Sequence, residues 1–554
     1  MKKKLGTLLL LTSVLLMGFA QPARQGDTLY NGIILPEQWP PKDRNPRSAV
    51  PMDVPYLTNP PAVINIDVGR QLFVDDFLID KTDLVRTYHQ AKKHPLNPVF
   101  KAETVHEKVP EGSPEPGYHD VTYLGHGGVF YDYGDRIFKM FYTAGWRGGL
   151  AMATSTDLLN WDRPDLGMVD QNIILPPGWL YAGGDNAVWI DNQAVNPNEK
   201  YKALIERGGH LKDGTSHTLH VSRDGRIWSQ GRLAQSAGDY CSFFHNPFRD
   251  KWVYSIKKGG LGRARWYHES DRFLEGRDWD NAVFWLNADS LDEPDPGVGD
   301  PAQLYSLNAV AYESLMIGEF YIHLGPDNRI AHQGKFPKIT ELKVGFSRDG
   351  FHWHRPDRRP FINATRKEGD WDRAYLHGTM GVFLVKGDEL WFPYCGYSGI
   401  ASDGSRGIYT GASIGMATLR RDGFASMDAG RKKGSLLTRP LVFNGNHLFV
   451  NVDCPDGELR IAVLDEHGRV LKGFSEKECT PIQINKTLYK VSWDSGEDLS
   501  AFNGKPIKFR FQLTNGKLYS FWVSPDQSGA SYGYVGAGGP GYGGVLDDKG
   551  IHAY

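Results

Sequence analysis

The chain has 554 residues, in which 63 Lys and Arg nearly balance 65 Asp and Glu for a formal charge of −2. With no basic field, it is not a protein that holds nucleic acid or an anionic membrane by charge, and a neutral small molecule or a sugar fits better as partner. Four scattered cysteines, Cys241, Cys395, Cys454 and Cys479, form no CxxC pair, which argues against a thiolate metal site.

In chain order, the basic run Lys2 to Lys4, the apolar run Leu5 to Phe19 and the small residues Gly18 and Ala20 read as a secretory signal peptide over 1–20. The apolar run is too short to span a bilayer comfortably. The expectation is a secreted or periplasmic protein. Residues 21–63 are rich in Pro, Asn and Asp without helical or strand period, an extended lead-in. From Ile64 to about Gly430, short β-type runs such as "NAVWIDN", "KYKALIER" and "ELKVGFS" are split by Gly, Asn, Asp and Pro. This predicts an all-β region.

One phrase recurs inside it. Ser155/Asp157/Trp161, Ser222/Asp224/Trp228 and Ser347/Asp349/Trp353 share a frame in which Asp follows Ser by two places and Trp follows Asp by four. Each copy follows a strand, which predicts a hairpin whose Asp caps the turn and whose Trp opens the next strand. The second and third copies stand about two units apart, with the degenerate "HESDRFLEGRDW" between them and "TLRRDGF" closing the series. Five units of about four strands predict a five-bladed β-propeller over 64–430. The alternative is an irregular sandwich. Residues 431–525 alternate apolar and polar with tight turns at Asn444-Gly445 and Asp456-Gly457, which predicts a C-terminal antiparallel β-sandwich. Cys454 and Cys479 lie there, free or paired. The Gly-rich tail, 526–554, reads as flexible.

In a propeller the polar residues ahead of each innermost strand converge on one funnel. The chain offers Asp120 and His126, then Asp185, then Asp239, then Glu313, and finally Tyr375 with His377. Glu313 interrupts the apolar "LNAVAYESLMIG", where an ionised carboxylate without partners would cost several kcal/mol. It should therefore face a polar channel or keep its proton, which suits a general acid. Asp185 and Asp120 complete a catalytic set, each also readable as a turn-capping Asp. His126, Asp239, Tyr375, His377 and Arg207 are the expected substrate-binding residues.

The repeated hairpins and the polar strand starts resemble the five-bladed propeller glycoside hydrolases of families 32 and 43. "GRQLFVDDFLID", "YDYGDRIFKMFYTAG" and "AVAYESLMIG" further resemble an exported bacterial branch grouped with the family 32 propeller. The resemblance runs from about Ile64 to Pro525. It implies an Asp in each of the first two units and a Glu acid in a later one, on Asp120, Asp185 and Glu313. The chain departs from that pattern in having no Trp-Met-Asn-Asp-Pro, Arg-Asp-Pro or Glu-Cys at the matching places. The function expected is a glycosidase acting on a polysaccharide or oligosaccharide, with no cofactor beyond an optional structural cation in the channel. The alternatives are a carbohydrate-binding propeller without catalysis and a phosphorylase, which needs Arg and His gripping phosphate.

Overall fold

The computed structural model describes residues 26–108, 118–168, 170–176, 186–211, 214–496 and 498–554, with the backbone alone at 207–211 and 214–216. The expected signal peptide lies outside them. Five antiparallel sheets follow one another along the chain. The first runs from Thr122–Tyr123 to Ile173–Leu175, the second from Ala187–Ile190 to Arg232–Ala237 and the third from Ser242–Asn246 to Val283–Leu286. The fourth holds Gln303–Glu313, Leu315–Gly325 and Ile339–Ser347, and the fifth spans Ala374–His377 to Ala412–Arg420. Both take a strand from elsewhere: Tyr534–Val535 pairs in the fourth and Lys92–Lys93 in the fifth. Parallel bridges join His126 to Ala187 and Val121 to Ala412, linking the first sheet to the second and to the fifth. One continuous apolar core runs through all five.

The recurring phrase makes the same turn three times. Ser Oγ stands 3.1 Å from the Asp Oδ1 in each copy. That Oδ1 then accepts the backbone N–H groups two and three residues further on, at 2.8 to 3.0 Å. The residue after the Asp sits at positive φ in every copy, as Leu158, Gly225 and Gly350. The glycines adopt this without Cβ strain. Trp353 is fully buried and Trp161 and Trp228 partly so, each packed on the shared core.

Two six-stranded sheets enclose a second core. One orders Ile64–Asn65, Leu441–Val442, Ile507–Thr514, Gly434–Thr438 and Ile79–Thr82, with Glu458–Asp465 beside the third. The other orders Asn485–Lys490, His447–Asp453, Gly516–Ser524, Ala425–Ala429 and Val85–Tyr88, with Gln71–Leu72 beside the third. Ile507–Thr514 alternates buried and half-buried positions, the pattern of a strand with one face on a core. Phe73, Phe509, Phe511 and Phe521 interlock between the sheets. The boundary expected at Ile64 is corrected: the strands from Ile64 to Tyr88 pair with the C-terminal strands, not with the repeat. Cys454 and Cys479 are free thiols, bonded to Ile482 O and Ile461 N respectively.

The flexible tail is also corrected. Gly536 donates to Ala311 O and Ala537 to Phe383 O, while Ala537 and Gly538 accept from Tyr131 and Val385. The tail thus ties together the first, fourth and fifth sheets. Its glycines serve close approach: a Cβ on Gly539 would lie 1.8 Å from Val385 O and one on Gly533 2.1 Å from Glu313 Oε2.

Candidate functional site

Glu313, the expected acid, does not reach an open site. It ends the strand Gln303–Glu313 at φ 49°, fully buried beneath the tail. Its Oε2 accepts from Arg70 N at 3.0 Å and Ser531 Oγ at 2.6 Å, and its Oε1 accepts from Arg421 Nη2 at 3.1 Å. Arg70 also pairs with Asp422 at 3.1 Å, and Arg421 with Asp547 at 2.7 Å, with no side chain of the five exposed. Burial raises the Glu313 pKa despite both arginines, whereas the two guanidiniums hold Asp422 and Asp547 below the usual range. Glu313 is thus a structural group joining the fourth sheet, the fifth, the N-terminal strands and the tail, and the general-acid expectation is corrected. Asp120 accepts from Ser402 N at 2.5 Å, a bond to a loop of the fifth unit. Asp185 and the Arg207 side chain lie outside the described residues.

Four of the expected binding residues do meet. His126, Asp239, Tyr375 and His377 come from the leading ends of the first, third and fifth sheets, and Tyr240 and Tyr305 fill the space between them. Ring centroids lie 4.2 Å apart for His126 and Tyr240, 4.6 Å for Tyr240 and Tyr305, 5.0 Å for Tyr240 and His377, and 4.3 Å for Tyr375 and His377. Tyr375 and Tyr305 share a hydroxyl contact at 3.3 Å. Asp239 stands at the open side, its side chain 42% exposed. Lys257 is paired with its Oδ1, and the Tyr305 hydroxyl lies 3.5 Å from its Oδ2.

Strand alternation supplies the groups that sequence reasoning missed. Residues two apart share a face, so Arg263 and Arg265 of Gly262–Ser270 point one way, as do Glu319, Tyr321 and His323 of Leu315–Gly325. Tyr321 stacks on His377 at 5.9 Å and 8°. Asn308 donates to the Tyr321 hydroxyl at 2.8 Å and to His126 Nδ1 at 3.2 Å. That leaves His126 Nε2 to carry the proton toward Tyr240 O, at 3.3 Å. His126 is therefore a fixed neutral ring. His377 differs, because neither of its nitrogens has a hydrogen-bond partner. Burial pushes His126, His323 and His377 well below their ordinary range, with Arg265 adding to it at His126 and Arg263 at His323.

Glu319 lies beneath His377 and Tyr321, fully buried, and Gly378 is tight against it: a Cβ there would sit 1.8 Å from Oε2. Neither oxygen makes a hydrogen bond of good geometry, although the Thr379 N–H and Tyr321 hydroxyl bear on it. Burial pushes its carboxyl well above the usual range, so it holds a proton at neutral pH. Unfolded glutamate ionises near about pH 4.3. Above that pH the native state binds the extra proton, so this group costs stability as pH rises. Glu319→Gln is expected to raise the melting temperature at pH 7, with the gain vanishing near pH 4. Scans at the two pH values check this, and equal melting at pH 7 would refute it.

Among the described residues, no three His, Cys, Asp or Glu side chains are grouped to hold a metal ion, and no helix is long and apolar enough to cross a membrane.

No family model matches the chain, and no curated protein matches it. Solved structures similar to it include an N-acetylgalactosamine deacetylase from F. plautii in complex with blood group B trisaccharide, at 15% identity and TM-score 0.41, covering 62% of this chain and 96% of that one. A thermostable family-43 glycoside hydrolase aligns at 13% identity and TM-score 0.38, over 56% and 91% of the two chains. An exo-β-1,3-galactanase from Phanerochaete chrysosporium with galactose aligns at 10% and 0.34, over 73% and 96%. Overlap at this level assigns neither reaction nor residue.

Proposed function

We propose that the chain is an exported, carbohydrate-active enzyme whose five sheets are the blades of a propeller, closed beside a C-terminal sandwich, and that it cleaves glycosidic bonds at the channel mouth. The Val121 to Ala412 bridge between first and fifth sheets supports closure. The observation that carries the functional reading is the meeting of Asp239 with Tyr240, Tyr305, Tyr375 and His377, drawn from the fourth and fifth sheets and the segment that leads into the third. Tyrosine rings give a sugar apolar faces with hydroxyl edges. Glycoside cleavage needs a proton delivered to the leaving oxygen and a carboxylate to activate water or attack. In this reading Asp239 is the carboxylate, within reach of substrate, and the Tyr305 and Tyr375 hydroxyls with neutral His377 handle the proton. Glu319 is a positioning residue behind Tyr321 and His377.

The test is to incubate the purified chain with a panel of neutral and acidic polysaccharides and measure new reducing ends. Release from at least one glycan is expected. No release, together with no retention on any immobilised glycan, would overturn the reading.

A further inference from the structure

If the site binds a glycan, as that reading holds, the charge of its lining selects which one. Arg265 is fully buried, yet its guanidinium contacts only carbonyl oxygens, Tyr240 O at 2.7 Å and Ser255 O at 3.4 Å. Its Nε and Nη2 have no hydrogen-bond partner. Arg263, two residues earlier on the same face, gives Nη1 to Gln303 Oε1 at 2.9 Å. Among the described residues neither arginine pairs with a carboxylate, whereas buried arginines elsewhere in the chain do, Arg70, Arg348, Arg355 and Arg421 among them.

A buried guanidinium with two idle donors costs several kcal/mol unless something compensates it. The nearby acids do not: Asp239 is engaged by Lys257, and Glu319 keeps its proton. Lys338 adds a further positive charge over the Tyr375 ring, 4.5 Å from its centroid. His377, with both nitrogens idle, lies against the rings of Tyr240, Tyr305 and Tyr321, and the Tyr240 carbonyl accepts from Arg265. The site thus holds fixed positive charge, unfilled donors and aromatic faces in one place. Planar guanidinium donors match the paired oxygens of a carboxylate or sulfate.

We propose that Arg265, supported by Arg263, forms an oxyanion subsite for the acidic substituent of a charged sugar, a carboxylate or a sulfate, so that the enzyme selects acidic over neutral glycans. Calorimetric titration of the full chain tests this with an oligogalacturonate, its methyl ester, a sulfated oligosaccharide, a neutral oligosaccharide and inorganic phosphate. Tighter binding of the uronate or of the sulfated sugar, by tenfold or more over the neutral ligands and weakening with salt, is expected. Which of the two binds identifies the substituent. Arg263→Gln should erase most of that preference. Arg265→Lys, which keeps the charge but loses the fork, should weaken the acidic ligand at least tenfold while leaving the neutral one unchanged. If Arg265→Lys does not fold, the Arg263 variant and the ester comparison still decide. Equal binding of acidic and neutral sugars would overturn the subsite and leave the glycan reading intact. Phosphate binding at this site with phosphate-dependent cleavage would overturn it in favour of phosphorolysis, and binding of none of the sugars would sink both readings.

Discussion

Asp239→Asn is expected to lower glycan turnover by about 10² to 10⁴, the usual share of a positioned proton-transfer group. The side chain is 42% exposed and its partner Lys257 also reaches solvent. A pair of that kind contributes only about 0 to 1 kcal/mol to folding. Melting temperature should therefore hardly move while turnover collapses, and this separation identifies a chemical role. Substrate affinity should change little, because the aromatic faces and the arginines remain. Steady-state kinetics on the best glycan, with a melting curve on the same sample, settles the matter. Turnover within a few-fold of the parent protein would remove Asp239 from the reaction.

The largest effect on stability is expected at Arg421. Its Nη2 bonds both Glu313 and Asp547 out of water, and its Nη1 bonds the hydroxyl of the partly exposed Tyr554 at 3.1 Å. Arg421→Ala leaves Asp547 its hydrogen bonds from Gly550 N and Ser531 Oγ but only the longer ion pair to Arg70, at 3.8 Å. Breaking a buried ion pair by deleting one partner costs about 3 to 5 kcal/mol, since the remaining charge cannot hydrate. Urea unfolding should shift by that amount, and limited proteolysis should begin to cut the Gly-rich tail. A loss below about 0.5 kcal/mol would show that water reaches the cluster. Replacing Arg70, Glu313, Arg421, Asp422 and Asp547 together by apolar residues of similar volume should cost less than the single change, by the same desolvation argument.

The two glutamates of one hairpin show how far sequence reasoning reaches. A carboxylate inside an apolar strand must find partners or keep its proton, and the stretch from Gln303 to Gly325 contains two, Glu313 and Glu319. The rule holds for both. Glu313 finds two arginines, contributed by residues far away in the chain, whereas Glu319 finds none and stays protonated. Nothing local tells them apart, because the deciding partners arrive through tertiary pairing. The repeated turn was legible for the opposite reason: Ser, Asp and the following N–H groups interact within five residues, so composition and geometry coincide. The convergence of His126, Asp239, Tyr375 and His377 followed from that repeat. Arg263 and Arg265 carried a signal, two cations on one face of "GRARWYHES", but an exposed strand edge would show the same pattern. The strands between Ile64 and Tyr88 were readable as strands, not as partners of residues beyond 425, since strand pairing is non-local.

The cluster around Arg70 also bears on the order of assembly. The contact from Arg70 to the Tyr554 hydroxyl closes 484 residues of chain, whereas each repeated turn closes within a few. Local hairpins form quickly, and contacts between distant segments form late because loop closure must come first. The five sheets can therefore collapse while the two arginines are still hydrated, and the charges are sealed only when the segment from Ser531 to Asp547 docks. Until then the molecule has its sheets but not its lock, and that interval is when a protease or a chaperone would find the tail.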